Sequence, residues 1–333
     1  MNEFTCENLF VDLYKRYGNR FAAPLQINDF SVWQNEAVKK LQDILRVSGC
    51  EKVENLATVF ETRDVNKEYV REHLILRTAK DLWMTAFVLY KKNIVGRKPA
   101  FILPPPEGAG KFDLIWSDDY ADVASADSLI RERICKNWEF TFALADKGYL
   151  VVVPDTIGEG ERREWMDEGS QNFFKSSHRA DNNVAIALGE SLGGLIVYEL
   201  KVLADYLETR EDYSGKLSVG GKRSAADVSV FFAAIDKRVS TVFAQEWLYE
   251  IKEDIIKTRD VCSCTCVPNM WKYFDKSDLA EILFPTKLII CGSDDESLRK
   301  VKECYSTAEN NFIGIEQHEV CQYLNKEALR FFD

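Results

Sequence analysis

The chain has 333 residues with 43 basic against 54 acidic side chains, a net charge of −11 at pH 7, and this excludes the basic footprint that nucleic-acid binding favours. Hydrophobic residues are 46% and aromatics 12%, enough to bury a sizeable core, and the length fits one large α/β domain with an attachment or two small domains. No uninterrupted apolar run of about 18 residues occurs, and Met1-Asn2-Glu3-Phe4-Thr5 carries neither a basic nor an apolar leader region, so a soluble, cytoplasmic protein with no membrane partner is expected.

In chain order, residues 1–65 read as an N-terminal helical extension. Phe30, Val32, Trp33, Ala37, Val38, Leu41 and Leu45 recur at helical spacing, with Gly49 as a stop. Residues 66–333 read as an α/β domain. Its first runs are β-type: His73 to Leu76 and Met84 to Tyr90 suit an antiparallel hairpin, and Ala100 to Leu103 follows. A helix is expected from about Ser125 to Lys147. Tyr149 to Val153 is apolar on both faces, as a strand buried in a parallel sheet requires. A long helix from about Ala187 to Thr209 comes next, then a strand at Leu217 to Val219, a helix at Ala225 to Asp236 and a strand at Val239 to Ala244. A strand at Lys287 to Cys291, a helix near Leu298 to Thr307, a strand at Phe312 to Ile315 and a closing helix at Leu324 to Phe332 complete the alternation. Eight strands in a mostly parallel sheet, covered on both faces, are predicted.

Nine cysteines, scattered and odd in number, point to reduced thiols in a chain too large to need stapling. The only histidines are His73, His178 and His318, so any imidazole chemistry uses one of these.

Gly189-Glu190-Ser191-Leu192-Gly193 satisfies G-x-S-x-G, the nucleophile elbow in which a strained strand-to-helix turn exposes a serine. Position argues against it, because an elbow there leaves a strand too many before His318. Leu188, Leu192, Ile196, Leu200, Leu203 and Leu207 also run through the motif as one helical stripe. The competing register puts the elbow after Leu217-Ser218-Val219, in Gly220-Gly221-Lys222-Arg223-Ser224-Ala225. Crowding demands small residues two before and two after the apex. Gly221 and Ala225 meet that demand around Arg223, whereas an apex at Ser224 would set Lys222 where a small residue is needed. After the next strands come Gly292-Ser293-Asp294-Asp295 and Glu316-Gln317-His318. Asp295, with Asp294 as the fallback, can orient His318 as general base.

The chain resembles the acetyl xylan esterase-like and dienelactone hydrolase-like branch of α/β hydrolases. The likeness rests on Pro154 to Arg162 (Pro-Asp-Thr-Ile-Gly-Glu-Gly-Glu-Arg), Leu188 to Leu195, Ala233 to Val239, Cys262-Ser263-Cys264-Thr265-Cys266-Val267-Pro268 and Phe284-Pro285-Thr286-Lys287-Leu288. It covers nearly the whole chain from Trp33 onward. The resemblance implies an α/β-hydrolase fold, with the nucleophilic serine falling on Arg223, the acid on Asp295 and the base on His318. Cys262 and Cys264 match a cysteine pair in a family loop. A C-x-C-x-C run also raises a metal, but one cluster without a second ligand set is a poor zinc site, so loop packing is expected, with no metal and no cofactor.

The oxyanion hole would draw N–H groups from Ser224 and from Glu107 or later, since Pro104, Pro105 and Pro106 donate none. Arg162 is expected to pair with Asp155. Two functions follow. One is a hydrolase-derived pseudoenzyme whose arginine clamps a small carboxylate or phosphate, or supports water chemistry with His318. The other is an active carboxylic-ester hydrolase using Ser224 or Ser191 with His318 and Asp295. The sequence leaves oligomeric state open.

Overall fold

A computed structural model describes residues 6–18, 20–22, 30–47, 57–106, 108–115, 128–164, 175–257, 261–315 and 323–332. The chain enters through two helices, α1 (Glu7–Tyr17) and α2 (Phe30–Leu45). On α2 the residues Trp33, Ala37, Leu41 and Leu45 are buried at four-residue steps, one stripe of a 3.6-residue period. Three antiparallel strands follow: β1 (Ala57–Asp64), β2 (Tyr69–Ala79) and β3 (Leu82–Lys91). The expected hairpin is β2–β3, in which Leu74 opposes Ala86 and Leu76 opposes Met84.

Next come β4 (Lys98–Ile102), α3 (Ser128–Asp146), β5 (Leu150–Pro154), α4 (His178–Ala187) and α5 (Leu192–Leu207). They lead to β6 (Tyr213–Lys222), α6 (Ser224–Ile235) and β7 (Val239–Leu248). The short α7 (Met270–Tyr273) and α8 (Lys276–Ile282), then β8 (Lys287–Ser293), α9 (Asp295–Cys304) and β9 (Phe312–Ile315), follow. The closing segment, Lys326–Phe331, is a 3-10 helix rather than an α-helix.

The strand order is β1-β2-β3-β5-β4-β6-β7-β8-β9, parallel from β5 to β9. Among the described residues, nine strands stand where eight are expected. The added one, β1, lies within residues 1–65, where two helices and a strand are described. Its residues are nearly all exposed, which leaves no apolar alternation to read. The helix expected from Ala187 to Thr209 begins only at Leu192, as α5; α4 is a separate helix that ends at Ala187, and Leu188, read as the head of the apolar stripe, is 77% exposed in the turn between them. The buried residues of α4 are His178, Asn182 and Ala185, a stripe too polar to register as amphipathic.

Period-two alternation sends successive strand residues to opposite faces. Ala100, Ile102, Leu217, Val219, Val242, Ala244, Leu288 and Ile290 enter one core with α2, α5, α6 and α8. Phe101, Leu103, Phe243, Ile289 and Cys291 enter the other, under α3 and the C-terminal 3-10 turn. Among the described residues no helix is long and apolar enough to cross a membrane.

Candidate active site

Strand β6 ends at Lys222 and α6 begins at Ser224, so Arg223 alone makes the turn, at φ 52° and ψ −118°. A side chain costs about 1–3 kcal/mol in such a sparsely populated region. The surroundings hold it there. Arg223 N donates to Gln245 O at 2.9 Å, and Asp227 N donates to Arg223 O at 3.0 Å. A Cβ on Gly221 would lie 2.6 Å from Ala225 Cβ, and one on Gly220 would lie 2.4 Å from Phe243 O. The small residues at 221 and 225 are therefore what permits the turn, the steric condition read from the sequence.

Arg223 Nε donates to Glu246 Oε2 at 3.2 Å, and Lys222 Nζ lies 3.5 Å from the same oxygen. The Glu246 side chain is 4% exposed and that of Arg223 44%. The Nη groups of Arg223 meet no hydrogen-bond partner among the described residues. Glu246 itself has a positive φ of 49° near the end of β7. The strand expected at Val239 to Ala244 runs on to Leu248 and so brings Glu246 to the turn; the signal for it is the further apolar pair Trp247 and Leu248 beyond a polar Gln245-Glu246.

Ser224 opens α6 and is half-buried. Ser191 is elsewhere and differently built: φ −142°, ψ 146°, 2% exposed, and the N-cap of α5, where its Oγ accepts from Gly194 N at 3.1 Å. That is ordinary extended backbone with an ordinary capping bond.

In the acid slot, Asp294 caps α9. Its Oδ1 accepts from Ser297 N at 2.8 Å and its Oδ2 from Glu250 N at 2.8 Å. Asp295 is the first residue of α9 and exposed, lining a surface hollow with Leu298, Arg299 and Lys302. His318 and Glu107 lie outside the described residues. The chain re-enters at Tyr323, whose carbonyl accepts from Gln245 Nε2 at 2.9 Å, while Asn325 N donates to Gln245 Oε1 at 2.8 Å.

The loop after β4 passes through buried Pro104, Pro105 and Pro106 to Gly108 and Gly110, both at positive φ. A Cβ on Gly110 would strike Asp155 Oδ1 at 2.2 Å. Asp155 anchors this loop, accepting from Lys111 N at 2.7 Å and from Lys111 Nζ at 2.5 Å. Lys111 Nζ also lies 2.9 Å from Glu161, which pairs with His73 Nε2 at 3.3 Å. Burial opposes ionisation of Glu161, yet His73 and Lys111 together hold its carboxyl well below the usual range. Arg162 does not pair with the Asp155 carboxylate as expected. It forks Glu199 with two bonds of 2.7 Å and touches Asp155 only through the backbone carbonyl, because Lys111 already occupies that carboxylate.

Residues 8–331 match the family model described as the Abhydrolase family. No curated protein matches. A Bacteroides fragilis protein assigned as an acetyl xylan esterase superposes with a TM-score of 0.79 at 16% identity, over 97% of this chain and 87% of its own. A glucuronoyl esterase from Solibacter usitatus gives 0.58 at 12%, over 89% and 91%. An acetyl xylan esterase from Paenibacillus sp. R4 gives 0.55 at 11%, over 96% and 97%. The sheet order, the strained turn after β6 and these likenesses agree on one fold, the α/β-hydrolase fold.

Proposed function

We propose, for a chain that belongs to the Abhydrolase family, that the elbow has passed from covalent catalysis to binding a small anion, and that ordinary serine-esterase chemistry is lost. The observation that carries this reading is that Arg223 holds the strained apex, φ 52° and ψ −118°, between Gly221 and Ala225. A guanidinium stays protonated and donates hydrogen bonds; it does not attack carbonyl carbon. Glu246 engages Nε, which leaves the outward fork of Nη donors to meet a carboxylate or phosphate in bidentate fashion. The N-terminal turn of α6 adds its N–H groups and positive dipole end to the same place. The ancestral substrate suggested by resemblance is an acylated sugar or small ester, and a carboxylate of that size suits the clamp.

The rival reading makes Ser224 the nucleophile, with His318 as base and Asp295 orienting it. Hydrolysis of p-nitrophenyl acetate and calorimetric binding of inorganic phosphate and acetate separate the two. The clamp predicts no wild-type turnover above buffer, a gain of activity in Arg223→Ser, and anion binding weakened at least about tenfold in Arg223→Ala. Robust wild-type turnover abolished by Ser224→Ala sinks it, as does anion binding indifferent to Arg223→Ala.

A further inference from the structure

The geometry points to a binding site for a thiophilic metal ion of the Zn²⁺ class, held by Cys262, Cys264 and His178. Cys262 Sγ lies 2.9 Å from His178 Nδ1 and 3.0 Å from Cys264 Sγ. The three donor atoms fall within 4.8 Å of one another. Cys262 and Cys264 are free thiols. His178 and Cys264 are 4% and 3% exposed. In the sequence the C-x-C pair lacked a further ligand, and His178 supplies it from 84 residues away.

The support around the cluster is that of a ligand set. A metal-bound histidine usually turns its other ring nitrogen to a carboxylate, which fixes the tautomer and the ring. Glu159, 3% exposed, faces His178 Nε2 at 3.8 Å, and that buried nitrogen makes no hydrogen bond of ordinary length. Glu159 is held in turn by Thr156, whose Oγ1 donates to Oε2 at 2.7 Å. Two glycines give the cluster room. A Cβ on Gly193 would lie 2.4 Å from Cys264 O, and one on Gly158 would lie 3.0 Å from His178 Cδ2. The second glycine of the G-x-S-x-G string is thereby accounted for, since it lets the cysteine loop rest on the first turn of α5.

Thiolates at about 2.3 Å from Zn²⁺ sit about 3.8 Å apart in a tetrahedron, so the two sulfurs need to separate by less than about 1 Å to receive the ion. Two thiolates and one imidazole are ligands of the type Zn²⁺ selects over hard cations. Cys266, the third cysteine of the run, is exposed with its Sγ 3.8 Å from Cys262 O, and it stands as an internal control.

The test uses the full chain, freed of metal by chelation and kept reduced. Titration with Co²⁺ is expected to produce an intense thiolate-to-metal charge-transfer absorption that saturates at one equivalent and is bleached by one equivalent of Zn²⁺. Cys262→Ser and Cys264→Ser should each abolish it, Cys266→Ser should retain it, and Glu159→Gln should weaken binding about 10–100-fold. Far-UV circular dichroism checks that each variant is folded. Absence of the band in fully reduced wild-type protein overturns the proposal without recourse to any variant, and so does a band that survives in folded Cys262→Ser,Cys264→Ser.

Discussion

Two turns invite comparison, the one before α5 and the one before α6. The first spells a nucleophile motif, Gly189-Glu190-Ser191-Leu192-Gly193, yet Ser191 is extended, buried and spent on capping a helix. The second has no serine at its apex, yet it is the strained one, at φ 52° and ψ −118°. The lesson is that a motif string records residue types while the chemistry depends on backbone strain, and the strain is paid for by neighbours two residues away. Gly221 against Ala225 makes the second turn possible; Gly193 in the first makes room for a cysteine loop instead.

Substitutions can break this contrast. Gly221→Val should produce the largest effect, a loss of about 3 kcal/mol by urea denaturation, because its side chain must overlap α6 in a packed site. A smaller loss would mean that the turn can relax and is not strained. Arg223→Gly should move stability the other way, by about +1 kcal/mol, since glycine removes the backbone strain and costs only a half-exposed pairing with Glu246. Ser191→Ala should cost about 1 kcal/mol, the value of an N-cap, with Ser191→Gly nearer to neutral. If Arg223→Gly destabilised and Ser191→Ala were silent, the assignments of strain and cap would both fall.

The strained turn at Arg223 was legible because its requirement is local: small residues at fixed distances from the apex are visible in one chain. The parallel strands were legible for the same reason, since Val151 to Val153 must be apolar on both faces. What the sequence hid was the non-local or the polar. Strand β1 has no buried side to announce it. Helix α4 buries His178 and Asn182, the latter because its Oδ1 accepts from Leu192 N at 3.0 Å, so its inner stripe looks like a surface. Glu246 reaches Arg223 from a neighbouring strand, and Glu159, His178 and Cys262 meet from three separate segments. No spacing rule links such partners. The expected Arg162–Asp155 pair failed in the same way, because Lys111 and Glu199 were competitors that only the folded chain brings near.

Helix α2 has a consequence beyond its packing. Leu45 O sits where a Cβ on Gly194 would be, 2.2 Å away, and Arg46 reaches back to the carbonyl of Gly189. The N-terminal segment thus seats the start of α5, with its stripe continuous with the core of the sheet. Removing α2 would expose the faces of α5, α6 and α8 on which it packs, so this helix is part of the domain's foundation rather than an ornament on its surface.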